Sequence, residues 1–236
     1  MKKIVRQVSY VTLGVIVGTL LGIYLWPLLF HKKAQVEIER TEPLISLDSV
    51  PSRVRNTIEN IERFLVISKE LDAEILSGSA VISGSVAFTA RHILLGPLLV
   101  GIDQDSLQLI FLNQNSHDTI EVNSMGGMFA DDVALLILPK EKARDKICFS
   151  ERGEIGDTVY YVGYPRIRNG ELTIVQGVIS AVSSQAIIGT GSIASGMSGG
   201  GMIDQNGCIL GILVYRNPTT AVHYRRFQIW AERIIR

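Results

Sequence analysis

Gly196-Met197-Ser198-Gly199-Gly200 lies in a glycine- and serine-rich loop running from Gly189 to Gly201. The Gly-x-Ser-x-Gly spacing fits a nucleophile elbow, a sharp strand-to-helix turn that lifts a serine above a βα framework. That arrangement needs an acid and then a histidine after the serine. Only 38 residues follow Ser198, with Asp204 the sole aspartate and His223 the sole histidine among them. The segment before the loop shows short β-like runs and no alternating helices. The elbow reading fails, and partners for the serine have to be sought upstream.

Two upstream segments supply them. Thr89-Ala90-Arg91-His92 closes an apolar run, and Asp132-Val133-Ala134-Leu135-Leu136 opens another. Acyl transfer needs these residue types together. A serine hydroxyl is a poor nucleophile until a neutral imidazole takes its proton. The imidazole needs a carboxylate on its other nitrogen, and the tetrahedral oxyanion needs backbone N–H donors that glycines help to aim. Taken singly, each residue has an ordinary structural explanation. The chain has four histidines (31, 92, 117 and 223), Asp131 competes with Asp132, and Ser198 fits a plain tight turn. The order His92, Asp132, Ser198 gives the three their joint meaning.

The surrounding texture predicts an all-β fold. Strands are expected at 64–68, 80–82, 86–90, 107–112, 133–138, 158–162, 172–179, 209–215 and 221–224, punctuated by Gly, Ser and Asn. The run Val133–Leu138 is continuously apolar, as in a strand buried on both faces. The strands fall into two groups on either side of Pro139, which suits two antiparallel six-stranded barrels, about 64–139 and about 155–224, followed by a helix over 225–235. Before them, Pro51 with Asp48 or Ser49 signals a helix start, and Val54, Ile58, Ile61 and Leu65 form one apolar stripe. A helix packed on its own domain explains that stripe better than a partner-binding or membrane-lying one.

With these residues in view, the chain resembles the trypsin/chymotrypsin-fold serine proteases from about Phe64 to Arg236. In texture it is most like the bacterial HtrA/Deg-like and glutamyl-endopeptidase-like branches. Gly78-Ser79-Ala80-Val81-Ile82 followed by Phe88-Thr89-Ala90-Arg91-His92 is similar to the family's G-S-G-x-x-I…L-T-A-A-H strand pair. Asp132–Leu136 is similar to D-x-A-L-L, Gly196–Gly201 to G-[DN]-S-G-G-P, and Gly207–Ile212 to the G-x-x-x-G-I strand beyond it. Gly156–Pro165 and Gly177–Ser180 resemble the opening strands of the second barrel.

The resemblance implies His92 as general base and acid, Asp132 as its orienter and Ser198 as nucleophile. It further implies an oxyanion hole from the amides of Gly196 and Ser198, and substrate binding by Ser192 below the pocket and by Val214, Tyr215 and Arg216 along an extended peptide. Met197 stands where the family keeps Asp or Asn, so no aspartate-dependent zymogen switch is expected. Arg91, Gly201, Val214 and Arg216 also depart from the pattern, without removing a triad atom. Small apolar and acidic substrate side chains both remain open. The chain ends 25 residues after Gly211, so the PDZ modules common in the HtrA/Deg branch are not expected.

Composition sets the frame. The 236 residues carry 23 Lys+Arg and 23 Asp+Glu with 47% hydrophobic residues, which excludes a disordered chain and the basic footprint of a nucleic-acid binder. Lys2, Lys3, Arg6, Lys32 and Lys33 fall in residues 1–33 without an acid; taking these five from 23 leaves 18 basic against 23 acidic residues from Ala34 onward. Between them, Val8–Phe30 runs 23 residues without a charge. As a helix it spans about 34 Å, enough for a hydrocarbon core of about 30 Å. The stretch is longer than a signal-peptide core and lacks a small-x-small cleavage site. Residues 1–33 are therefore expected to be a single-pass anchor and 34–48 a linker, with 49–236 as a catalytic domain outside the cytoplasm, periplasmic or at the cell surface. Gly14, Gly18 and Gly22 share one helix face and would permit a homo-oligomer through the anchor, although chance spacing explains them as well.

No cofactor or metal is expected, since no Cys/His cluster has ligand spacing. Cys148 and Cys208 are expected as unpaired thiols, with Cys208 in a core strand. Protein or peptide substrates are the expected partners. The alternative to a serine endopeptidase is a catalytically inactive, protease-like module that binds peptides or scaffolds a membrane complex.

Overall fold

The computed structural model describes residues 45–99, 106–112, 119–121, 124–128, 131–166, 170–216 and 219–223. The chain divides into two units, Met1–Thr41 and Glu42–Arg236. The first lies outside the described residues, and with it the expected anchor and Gly14, Gly18 and Gly22; the expected helix over 225–235 lies outside them too. Among the described residues no helix is long and apolar enough to cross a membrane.

Helix α1 (Ser52–Ile58) follows a short 3-10 turn, Leu47–Ser49, with Pro51 at its N-cap. The expected stripe is cut in two. Val54 and Ile58 sit on α1, whereas Ile61 and Leu65 already belong to strand β1 (Ile61–Ser68). Ile61–Ser68 is rich in β-branched and large apolar residues, so it extends and pairs as a strand. Strands β2 (Ala73–Ser83) and β3 (Val86–Ala90) continue antiparallel from it. Helix α2 (Arg91–Leu99) and strands β4 (Leu107–Leu112), β5 (Thr119–Glu121), β6 (Ser124–Met128) and β7 (Val133–Ile137) complete the first half.

The expectation of two six-stranded barrels is corrected here. The first half is a seven-stranded sheet in the order β5-β4-β1-β2-β3-β7-β6. Its two edge strands are consecutive in the chain, ending at Glu121 and starting at Ser124. Three Cα steps of about 3.8 Å hold those ends within about 11 Å, so the sheet curls into a half-barrel. The short β5 and β6 carry no clear two-residue alternation, which is why sequence periodicity does not reveal them.

The second half closes fully. Strands β8 (Thr158–Gly163), β9 (Thr173–Val182), β10 (Ala186–Gly189), β11 (Gly201–Asp204), β12 (Ile209–Arg216) and β13 (Thr219–His223) form a barrel in the order β10-β13-β12-β11-β8-β9. Closure removes unpaired edges. Along β9, Val175, Gly177 and Ile179 face inward while Gln176, Val178 and Ser180 face out.

Three apolar clusters hold the unit together. One fills the half-barrel around Phe64, Phe88's neighbour Ala87 and Phe111; one fills the barrel around Tyr161, Met197 and Leu213; one lies between them. Strand β7 shows how the halves are joined. Val133 and Leu135 enter the middle cluster, whereas Ala134 and Leu136 enter the half-barrel core. Burial on both faces is the physical reason for that continuous apolar run.

A second correction concerns the cysteines. Cys148 and Cys208 form a disulfide across 60 positions. The connection between the halves runs beside β12: the Ile209 amide donates to the Cys148 carbonyl at 2.9 Å, and Ser150 donates back to Ile209 at 2.9 Å. That pairing brings the two thiols face to face. Helix α1 docks at the same corner, with the buried Thr57 hydroxyl donating to the Gly207 carbonyl, as expected for a helix packed on its own domain.

Candidate active site

Three elements meet where the halves join. β3 ends at Ala90 and α2 starts at once, so His92 occupies the first turn of a helix whose leading N–H groups lack intrahelical partners. Asp132 satisfies two of them. Its carbonyl accepts from the Arg91 amide at 3.0 Å, and its Oδ1 accepts from the His92 amide at 2.9 Å. Its other oxygen, Oδ2, lies 2.7 Å from His92 Nδ1. Ile93 and Leu94 are buried in the half-barrel core and fix the helix, while the His92 side chain remains 47% exposed. With Nδ1 committed to the carboxylate, Nε2 is the nitrogen left to exchange a proton.

Asp132 adopts φ +64°, a left-handed conformation uncommon outside glycine and asparagine. Such a conformation costs on the order of 1 kcal/mol and persists where surrounding bonds over-determine it. Here the residue is held through both its carbonyl and its carboxylate. The choice between adjacent Asp131 and Asp132 is resolved: Asp132 holds the imidazole.

The Ser198 loop leaves the barrel after β10. Ile193 and Met197 are buried, and Met197, at 0% exposure, pins the loop to the barrel core by apolar contact. Gly196 has φ +101° and Gly199 φ +86°, and a Cβ on Gly199 would sit 1.9 Å from the Ser79 carbonyl. The same Cβ position is 3.0 Å from the Ala90 amide. The residue after Ser198 therefore abuts the start of the His92 helix. The Ser198 hydroxyl itself has no hydrogen-bond partner among the described residues; nucleophile–base bonds are often long without substrate and tighten on binding.

The carbonyls of residues 195–198 are all engaged. Ser195 O accepts from the Arg166 amide at 2.8 Å and Met197 O from the Gly200 amide at 3.0 Å. Gly196 O accepts from the Ser79 hydroxyl at 2.9 Å, and Ser198 O from the Ser79 amide at 2.8 Å. In a trans peptide the N–H points opposite the preceding carbonyl. The amides of Gly196 and Ser198 are thus turned away from Arg166 and Gly200, and among the described residues neither donates to an acceptor. Two backbone donors are left on the residues that flank Met197.

The remaining expected residues lie on the Ser198 loop and on β12. Ser192 is exposed on this loop. The neighbouring Gly191 carbonyl accepts from the buried Thr219 hydroxyl at 2.8 Å, and Thr219 pairs with Arg216. The register of β11 on β12 stops at Ile212; beyond it Tyr215 and Arg216 pair with β13, with Val214 at a bulge, and no other described strand pairs with 214–216. That leaves a strand edge beside the Ser198 loop.

Sequence reasoning missed Ser79 as a site residue. A serine directly before the apolar run 80–82 and buried at 0% exposure is the signal, since buried hydroxyls require partners. Nearby, burial and the Glu62 carboxylate push the Tyr164 hydroxyl above its ordinary range; it stays protonated and donates to Ile61 O at 3.0 Å.

A closed barrel joined to a half-barrel, with a paired histidine and aspartate facing a glycine-rich serine loop, defines a chymotrypsin-like fold. The chain belongs to the trypsin-like peptidase domain family, whose model matches residues 76–212, a span that contains His92, Asp132 and Ser198. It is, by that membership, a serine endopeptidase. Its fold is similar to the crystal structure of the serine endoprotease from Yersinia pestis, with a TM-score of 0.64 and 24% identity over 82% of this chain and 68% of that one. No curated protein sequence matches the chain.

Proposed function

We propose that this protein cleaves peptide bonds through an acyl-enzyme formed on Ser198. The carrying observation is the conjunction of a His92–Asp132 pair at 2.7 Å with two unengaged amides, on Gly196 and Ser198, in the loop that bears the hydroxyl. In this reading His92 Nε2 takes the Ser198 proton as Oγ attacks the scissile carbonyl. Asp132 stabilises the imidazolium and fixes its tautomer. The amides of Gly196 and Ser198 receive the oxyanion, each such donor being worth about 10²–10³ in rate. The tetrahedral intermediate collapses as His92 returns the proton to the leaving amine. Water, activated by the same imidazole, then hydrolyses the ester.

Substrate would add as a strand along Val214, Tyr215 and Arg216, through backbone bonds on the open edge of β12. The side chain preceding the cut would point toward Ser192, where small apolar and acidic groups are the candidates. The catalytic unit is read as lying outside the cytoplasm, held by Val8–Phe30. That placement is supported by the charge-free stretch and by the Cys148–Cys208 disulfide, which suits an oxidising compartment.

Incubation with an unfolded protein substrate tests the activity. The parent should generate new peptide termini, and Ser198→Ala should bind the same substrate without cutting it. Binding without turnover by both proteins would instead identify a protease-like scaffold.

A further inference from the structure

Ser79 sits on β2 in the first half of the fold, yet all its backbone and hydroxyl contacts reach across to neighbouring elements. Its amide donates to Ser198 O at 2.8 Å, and its hydroxyl donates to Gly196 O at 2.9 Å. The hydroxyl also accepts from the Tyr164 amide, just beyond β8, at 2.8 Å. Its carbonyl accepts from the Thr89 hydroxyl at 2.7 Å, three residues before His92. The residue is completely buried, so each of these bonds forms without competition from water.

We infer that Ser79 is a positioning residue that sets the aim of the two oxyanion donors, an inference that rests on the peptidase reading above. The peptides 196–197 and 198–199 are tied to Ser79, while the alternating peptides 195–196 and 197–198, which carry the unengaged N–H groups, are tied to Arg166 and Gly200. Gly196, at φ +101°, is the soft joint between peptides 195–196 and 196–197. Removing the Ser79 hydroxyl releases the Gly196 carbonyl and leaves peptide 196–197 held only through the Met197 amide, which donates to Ala194 O at 3.1 Å. It also strands the buried Tyr164 amide, whose bond to Ser79 is one of those by which the second half meets β2. The same side chain therefore couples the packing of the two halves to the geometry of the loop. It touches no reacting atom, and its effect passes entirely through Gly196 and Ser198.

The test uses Ser79→Ala beside the parent, full-length, with a chromogenic peptide ester and a peptide boronate whose tetrahedral adduct occupies the oxyanion position. The inference expects kcat to fall about 10–100-fold with KM within about twofold, and boronate affinity to weaken by a similar factor. A merely structural role would lower the amount of active protein and leave kcat per titrated site and boronate affinity unchanged; that result overturns the inference. Should Ser79→Ala not fold, amide hydrogen exchange in the parent decides. The Ser79 and Tyr164 amides should exchange as slowly as the buried strands, and exchange at the rate of exposed loops overturns the clamp. A parent that neither hydrolyses the ester nor binds the boronate removes the peptidase reading and the inference with it. In that case slow exchange at Ser79 and Tyr164 would show the contacts themselves to be present, so the two failures remain separable.

Discussion

At the residue scale, Asp132 does three things with one short side chain and one peptide. It supplies acceptors to the first two amides of α2, orients His92, and adopts a left-handed backbone to do so. The negative charge also sits at a helix N-terminus, where the peptide dipoles favour it. Asparagine keeps the shape and tolerates φ +64°, but it removes the charge and presents an amide N–H to one of its two partners. Asp132→Asn should therefore fold, with a melting temperature within a few degrees of the parent, and lose about 10⁴-fold in kcat. Calorimetry together with steady-state kinetics checks both halves. The His92–Asp132 pairing was legible in the sequence because the proposed chemistry demands fixed residue types in a fixed order. Ser79 was not, since its importance lies in what its hydroxyl reaches, 117 positions away at Gly196.

Among the elements, the connection between the halves is held by a buried ion pair. Arg144 donates to the Glu62 carboxylate at the start of β1 and to the Glu59 carbonyl at 2.7 Å, while its amide donates to Gly84 O at 3.0 Å. Glu62 is 3% exposed, and its Oε2 has no hydrogen-bond partner among the described residues. Burial raises its pKa above the ordinary carboxylate value, against the opposing pull of the Arg144 charge. A carboxyl whose folded pKa is raised favours folding below its unfolded pKa and loses that contribution as pH climbs through the folded one. The stability of Glu62→Gln relative to the parent should therefore rise from pH 4 to pH 8. Urea unfolding across that range checks the sign, and a relative stability that falls with pH would contradict it. β3 and β4 were read to the residue and β1, β7, β8, β9, β12 and β13 to within three residues at their ends, whereas β2 was read only over 80–82. The end of α1 was misread because Ile61 and Leu65 extend its helical spacing by coincidence, while pairing with β2 and β4 decides their conformation.

At the scale of the whole molecule, the fold sets the His92–Asp132 pair and Ser198 on opposite sides of a seam, the pair on the half-barrel and the serine on the barrel. The disulfide fastens the connection between them to β12. In the chain-entropy account, a loop of 60 residues gives about 4 kcal/mol of stabilisation, with measured values commonly about 2–4. Replacing both cysteines by serine should thus lower the melting temperature by about 5–15 °C. In cells, the thiols should resist alkylation until reduced; ready alkylation would count against the placement outside the cytoplasm. Cysteine pairing was not legible because nothing in the sequence announces that residues 148–150 run alongside Ile209. The curl of the first sheet escaped for a similar reason, resting on two short edge strands without periodicity. The central claim is that imidazole 92 and carboxylate 132 activate hydroxyl 198. A fluorophosphonate probe, followed by intact mass and peptide mapping, measures it most directly. The account predicts a single adduct on Ser198, absent in Ser198→Ala and formed far more slowly in Asp132→Asn. A well-folded parent that takes no label, or takes it on another residue, contradicts it.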